Sequence, residues 1–152
     1  MNIDKVLIID FGSQVTKLIA RRIRELGVYS EILNINHLKN IKNFESVKGI
    51  ILSGGPASVT QKKFPKISKE IFLKKIPILG ICYGLQLISK SFGGKVNNNK
   101  KKREFGRVKL FEKKKSNLTK NFFDKKITNV WMSHQDAVTN LPKGFNKIAS
   151  TK

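Results

Sequence analysis

The single cysteine of the chain stands where one kind of apolar pattern gives way to another. The short run Ile76–Ile81 has the length and the β-branched residues of a buried parallel strand. After it, apolar residues recur at helical spacing from Leu85 until Gly93 and Gly94 end the pattern. The sequence therefore predicts a strand that runs directly into a helix, with Cys82 at the junction.

Two glycines flank this cysteine, in the order Gly80, Cys82, Gly84. The same pattern with a central serine forms a nucleophile elbow, whose sharp turn places the side chain above the sheet in a strained backbone conformation. The dipole of the following helix favours thiolate over thiol, so we expect alkylation faster than that of an ordinary cysteine. A small buried hydrophobe is the alternative for a lone cysteine, but the position between two glycines favours a nucleophile.

Strands and helices alternate along the first part of the chain, which predicts a doubly wound, mainly parallel sheet. The helix after the first strand is predicted to be capped by Ser13 and ended by Gly27. Its apolar residues recur at spacings of three and four, at Val15, Leu18, Ile19, Ile23 and Leu26. The further predicted strands are Val6–Asp10, Tyr29–Ile35 and Val47–Leu52, and the further predicted helices are His37–Ile41, which is short, and Pro65–Lys75.

Two turns follow predicted strands and belong at the same sheet edge as Cys82. The first is Phe11–Gln14, placed where open α/β sheets keep their ligand loops. The second is Ser53–Pro56, whose two glycines can bring bare N–H groups close to a ligand.

The second half of the chain follows a different pattern, since full helices no longer separate the strands. Residues 95–103 are polar and lysine-rich, which predicts a loop, and a short helix is predicted over 117–124. His134 follows a predicted strand and is either a base for Cys82 or a structural histidine. A smaller, more antiparallel layer is expected from the strand candidates Phe105–Phe111, Ile127–Met132 and Lys147–Ala149.

Composition limits the broad class of protein. The 152 residues suffice for one domain with a core. The formal net charge of +21 comes nearly all from scattered lysines without interleaved aromatic residues, so we expect solvated surface and no specific nucleic-acid site. No signal peptide or membrane span is expected, and one cysteine excludes an internal disulfide, so the expected compartment is the cytoplasm.

Several stretches together resemble one family. The matching stretches are Asp-Phe-Gly-Ser-Gln at 10–14 with the Arg-Arg-x-Arg-Glu at 21–25, Leu-Ser-Gly-Gly-Pro at 52–56, Gly-Ile-Cys-Tyr-Gly-Leu-Gln at 80–86, Arg-Glu-Phe-Gly at 103–106 and Trp-Met-Ser-His-Gln-Asp at 131–136. With these stretches the chain resembles the class I (triad) glutamine amidotransferases of flavodoxin-like fold. The stretches at 10–14 and 103–106 point to the GMP synthase branch of that family.

The resemblance implies a mechanism and its residues. Cys82 would attack the side-chain amide of L-glutamine to form a glutamyl thioester, with the N–H groups of Gly55 and Tyr83 as the oxyanion hole. Ammonia would pass to an ATP pyrophosphatase domain or subunit that adenylates XMP and aminates it to GMP. No cofactor is implied for this domain; ATP and Mg²⁺ belong to the synthase domain. The positions that would hold glutamine are Gln86, Ser133, His134 and Gln135.

One departure from the family bears on activity. The Phe-His-Pro-Glu motif that carries the catalytic histidine and glutamate in the family does not occur in residues 1–152, and His134 matches a different histidine. We therefore expect an amidotransferase domain that is incomplete at its C-terminus and lacks the synthase domain. These 152 residues alone are expected not to turn over glutamine. The alternative is a catalytically inactive module with a regulatory or assembly role.

Overall fold

The structure is a computed structural model that describes residues 3–41, 43–98 and 104–151. Its chain divides into two compact units, residues 1–91 and residues 92–152. The first unit contains the predicted α/β pattern, and the second contains the predicted antiparallel strands.

A four-stranded parallel sheet forms the centre of the first unit. Its strands are β1 (Lys5–Asp10), β2 (Tyr29–Asn34), β3 (Val47–Leu52) and β4 (Ile78–Gly80), in the order β2-β1-β3-β4. The consecutive strands β2 and β3 lie on opposite sides of β1, which confirms the predicted doubly wound fold. In such a fold, ligands bind at the carboxyl ends of the strands, at the point where the strand order reverses. The central strands carry the core, with no or almost no exposure at Leu7, Ile8, Ile9, Ile50 and Leu52.

A helix follows each of these strands along the chain. The helices are α1 (Thr16–Glu25), a 3₁₀ helix (Ile35–Asn40), α2 (Glu70–Leu73) and α3 (Tyr83–Ser91). Gly27 and Gly93 follow α1 and α3 with φ of +77° and +88°, so both helices end at the glycines that the sequence predicts.

The first helix differs from its prediction at its start and on one face. It begins at Thr16, and the hydroxyl of Ser13 accepts the N–H of Val15 in the preceding turn, 3.2 Å away, instead of capping the helix. Thr16 and Ala20 are buried, whereas Leu18 is 48% exposed. The buried face of α1 is thus narrower than its apolar pattern indicates, because the small residues Thr16 and Ala20 are the ones that pack against the sheet.

The predicted helix over Pro65–Lys75 is wrong in length, since α2 has a single turn. The Ser68 hydroxyl accepts the N–H of Glu70 at 3.3 Å in the turn before the helix, and the N-cap residue Lys69 makes no side-chain cap hydrogen bond. Lys75 has a left-handed φ of +55° and ends it. The carbonyl of Pro65 instead accepts a hydrogen bond from the Tyr83 hydroxyl.

Strand β4 is shorter and less buried than predicted. It has three residues, and Leu79 is 36% exposed. Among the described residues β4 pairs with β3 alone, so one of its edges has no strand beside it. An edge position explains why an apolar run is only half-buried.

The second unit is antiparallel, as the sequence predicts. Strands β6 (Glu104–Glu112) and β7 (Ile127–His134) form a long ribbon to which β9 (Ala149–Ser150) adds a short third strand. Strand β5 (Lys95–Asn98) pairs with β8 (Asp136–Asn140).

Two predictions for the second unit are corrected. Residues 95–98, predicted as loop, form β5 because β8 supplies their hydrogen-bonding partners across a long sequence separation; residues 99–103 of that predicted loop lie outside the described residues. The helix predicted over 117–124 is a 3₁₀ turn at Asn117–Thr119, started by the Ser116 hydroxyl. Within the described part of the chain, no helix has the length and apolar character needed to cross a membrane.

Candidate active site

Three loops meet at the carboxyl edge of the parallel sheet. A Cβ atom built on Gly54 would lie 3.5 Å from the Cβ of Cys82 and 3.6 Å from the hydroxyl of Ser13. The loops after β1, β3 and β4 therefore come together where a doubly wound sheet binds its ligands. The prediction that the Ser53–Pro56 turn shares an edge with Cys82 is confirmed.

Cys82 occupies a strained turn between β4 and α3. Its φ is +49°, a left-handed value that non-glycine residues rarely adopt, and its side chain is exposed. The surrounding backbone fixes this conformation, because the N–H of Ile81 donates to the carbonyl of Leu52 at 2.9 Å and that of Gly84 to Ser53 at 3.1 Å. The elbow that the sequence predicts is present, with its thiol open to a reactant.

The flanking glycines are required by packing. A Cβ on Gly80 would lie 2.6 Å from the backbone nitrogen of Leu85, a distance that real Cβ atoms essentially never show. A Cβ on Gly84 would similarly lie 2.2 Å from the carbonyl oxygen of Leu52 at the end of β3. The prediction that glycines let the strand and the helix crowd the turn is confirmed.

The two backbone N–H groups that the resemblance assigns to an oxyanion hole, those of Gly55 and Tyr83, belong to the loops at this edge. Among the described residues, neither the N–H of Gly55 nor that of Tyr83 donates to a protein acceptor. Tyr83 is the first residue of α3, where helical N–H groups have no partner within the helix. Gly55 is held against the first loop, since a Cβ there would lie 2.4 Å from the carbonyl oxygen of Phe11.

The buried side chain of Tyr83 anchors the turn that carries Cys82. It is 1% exposed, its hydroxyl donates to the carbonyl of Pro65, and its ring lies 5.0 Å from the ring of Phe11. Burial raises the pKa of this phenol to about 12. Sequence reasoning assigned only the backbone of Tyr83 a role and missed the anchor, since no local pattern links residues 65 and 83.

Ser53 is a second supporting residue that the sequence analysis missed. It is fully buried, its hydroxyl accepts the N–H of Phe11 at 3.1 Å, and it donates to the carbonyl of Gly54 at 2.8 Å. These bonds fix the loops after β1 and β3 to each other. A serine placed between a buried strand and two glycines is the signal that would have found it.

The pKa of the Cys82 thiol is shifted in the direction opposite to the predicted one. Partial burial raises the pKa of the thiol above its ordinary value, because the ionised sulfur loses hydration. The position at a helix N-terminus predicts a lowered pKa for this thiol, and burial gives the opposite direction. The thiolate therefore forms less readily near neutral pH than in a free cysteine.

Gln86 lies one helical turn beyond the cysteine. Its N–H donates to the carbonyl of Cys82 at 3.1 Å, and the residue is 8% exposed. It is thus close to the nucleophile along the chain, with only a small part of its surface open to a ligand.

The other three residues predicted to hold a substrate belong to the second unit. Ser133 and Gln135 are exposed at the end of β7. His134 is half-buried, and its Nε2 atom lies 3.0 Å from the Glu104 carboxylate on the neighbouring strand. This pairing fits the structural alternative for His134, and the substrate role of the segment stays a prediction.

Comparison with known proteins agrees with this fold. The family model for "Glutamine amidotransferase class-I" matches residues 7–152. The chain belongs to the class I glutamine amidotransferase family.

Curated relatives point to one branch of that family. A GMP synthase [glutamine-hydrolyzing] from Brachyspira hyodysenteriae is 50% identical over 99% of this chain, and one from Borrelia garinii is 48% identical over all of it. The match takes in 29% and 28% of those two proteins. The chain thus spans less than a third of the length of the curated relatives it matches.

Solved structures share the fold. A protein from Thermoplasma acidophilum, described as one subunit of a GMP synthase, superimposes with a TM-score of 0.77 and 31% identity, over 99% of this chain and 74% of that one. A glutamine amidotransferase from Thermotoga maritima gives the same TM-score at 23% identity, over 98% of this chain and 67% of that one. The second likeness concerns the fold alone.

Proposed function

We propose that this chain is the glutamine-hydrolysing part of a GMP synthase. The observation that carries the proposal is Cys82, an exposed thiol held at φ +49° where three sheet-edge loops meet. Such a placement serves nucleophilic catalysis, since the strained turn presents the sulfur while helix α3 begins directly behind it. The similarity to proteins named GMP synthase supports the enzyme over an inactive assembly module.

The reaction proposed for the whole enzyme to which this chain contributes Cys82 has two steps. The sulfur of Cys82 bonds to the carboxamide carbon of L-glutamine; the C–N bond breaks, and the nitrogen leaves as ammonia after taking up the thiol proton. Water then adds to the thioester, and the C–S bond breaks to release glutamate and the thiol. The N–H groups of Gly55 and Tyr83 stabilise the negative oxygen that develops in each step.

The amino acid part of glutamine is proposed to contact Gln86. The substrate-binding role that the family resemblance implies for the Ser133–Gln135 segment is likewise a proposal. The ammonia is proposed to serve an ATP pyrophosphatase domain or subunit that aminates XMP to GMP. ATP and Mg²⁺ would bind there, and this chain is proposed to work without a cofactor of its own.

A chloroketone analogue of glutamine tests the nucleophile directly, because alkylation of a thiolate needs no proton donor. We expect saturable labelling of Cys82, seen by mass spectrometry, that glutamine competes away and that Cys82→Ser abolishes. An analogue shorter by one methylene serves as the control for substrate length and should label more slowly. Labelling that never saturates, or that glutamine leaves unchanged, would contradict the proposal.

A further inference from the structure

One face of the β6–β7 ribbon exposes large aromatic side chains to solvent. Trp131 is 78% exposed and Phe105 is 59% exposed, and Ile127 on the same face is 41% exposed. Tryptophan side chains are highly buried on average, so an indole this exposed on a regular strand is unusual. Apolar surface gathered on one face marks a site of interaction.

The strand register places cations beside these rings. Arg107 pairs directly with Trp131, and Phe105 pairs with Ser133, two residues further along β7. Directly opposite side chains have Cβ atoms about 5 Å apart, and diagonal neighbours lie within reach of aromatic groups. Lys109 follows Arg107 on the exposed face of β6. Phe105, Arg107, Lys109, Ile127 and Trp131 together are called the ribbon face below.

The ribbon face carries positive charge without a neutralising carboxylate. Its five residues include two cations and no acid, and Glu104 lies on the half-buried side, where it contacts His134. Tryptophan and arginine are the residue types that contribute most to protein interfaces. Apolar residues outnumber cations here, which favours a protein partner over a nucleic acid, whose binding requires a track of cations.

We infer that the ribbon face binds the synthase part of GMP synthase, as a domain or a separate subunit, through an apolar surface rimmed by carboxylates. The inference rests on the proposed function. Most of the length of the Brachyspira hyodysenteriae and Borrelia garinii relatives lies outside their match to this chain, so those proteins contain enough further polypeptide to supply such a partner. The chain has a formal net charge of +21, which attracts an acidic partner surface.

Binding measurements with matched variants test the inference. The probe is the remainder of the Brachyspira hyodysenteriae GMP synthase, in a preparation that forms GMP from XMP, ATP and ammonia. Affinity for the 152-residue chain is measured by titration calorimetry at low and at physiological salt. The variants are Trp131→Ala and Arg107→Glu. The controls are Phe122→Ala, an exposed aromatic residue, and Lys143→Glu, an exposed cation, both outside the ribbon face.

Each ribbon-face variant should weaken binding by at least about tenfold, and each control should stay within about threefold of the parent. Binding should also weaken as salt rises. Circular dichroism melting must match the parent for each variant. No binding by the parent, or equal losses in variants and controls, would overturn the inference. The inference would also be overturned if Trp131→Ala lost binding to a single-stranded oligonucleotide but still bound the synthase part as tightly as the parent chain does.

The chloroketone experiment separates this inference from the proposed function. If the parent chain shows saturable labelling of Cys82 and Trp131→Ala binds the synthase part as the parent does, the ribbon face is not the binding surface. The proposed glutaminase function is then still supported. Failure of the labelling, whatever the binding result, rejects the proposed function.

Discussion

Gly84 at the start of α3 lies directly against the carbonyl of Leu52 at the end of β3. A Cβ on Gly84 would lie 2.2 Å from that oxygen and 2.7 Å from the Leu52 Cβ. Both atoms belong to the fixed end of a buried strand, so neither can move aside without shifting the sheet. This contact sets how closely the helix that begins behind Cys82 approaches the sheet.

Gly84→Ala should therefore destabilise the fold strongly, by about 3 kcal/mol, in line with the cost of overpacking a rigid core. Urea unfolding followed by circular dichroism measures the change. Gly49→Ala in β3 is the matched control, since a Cβ there meets only ordinary contacts, 3.8 Å from Val6 and 4.0 Å from the Pro77 carbonyl. Equal stability of the two variants would show that the helix is free to move away.

Gly106 in β6 tests backbone strain without a steric clash. Its φ is +87°, and a Cβ there would meet nothing within 4 Å. Gly106→Ala should cost about 1–2 kcal/mol because an L-residue is forced into a left-handed conformation. Gly106→Asn should cost less than Gly106→Ala, since asparagine tolerates positive φ better. The same free energy of unfolding for both variants would argue against this account.

Removing the Tyr83 hydroxyl should separate stability from catalysis. Tyr83→Phe loses the bond to the Pro65 carbonyl and should lower the free energy of unfolding by about 1 kcal/mol. The proposed oxyanion donor is the backbone N–H, which the substitution keeps. The rate of chloroketone labelling at Cys82 should therefore change by less than about threefold. A much larger loss would place the hydroxyl itself in the reaction.

Much of the site could be predicted from the sequence because local pattern encodes it. Gly80, Cys82 and Gly84 specify a tight strand-to-helix turn through their own backbone requirements. Strand β8 was not predicted, because Asp136–Asn140 is polar at both ends and owes its pairing to residues 95–98, about forty positions earlier. The single turn of α2 and the Tyr83 anchor depend likewise on contacts between distant residues.

The acidity of Cys82 gives a prediction that can be tested by pH. Its pKa is raised by burial, and a thiol is unreactive until it ionises, so the thiolate fraction near neutral pH falls below that of a free cysteine. Alkylation by iodoacetamide should be slower than for glutathione at pH 7 and should keep rising above the ordinary thiol pKa of about 8.5.

The alkylation rate is measured at each pH by quenching samples at successive times and analysing them by mass spectrometry. The control is the same measurement on the chain unfolded in denaturant. Unfolding removes the burial, so the denatured chain should alkylate faster near neutral pH, with a midpoint shifted down toward the ordinary value. A rate that levels off below pH 8 in the folded chain would mean that the dipole of α3 outweighs desolvation.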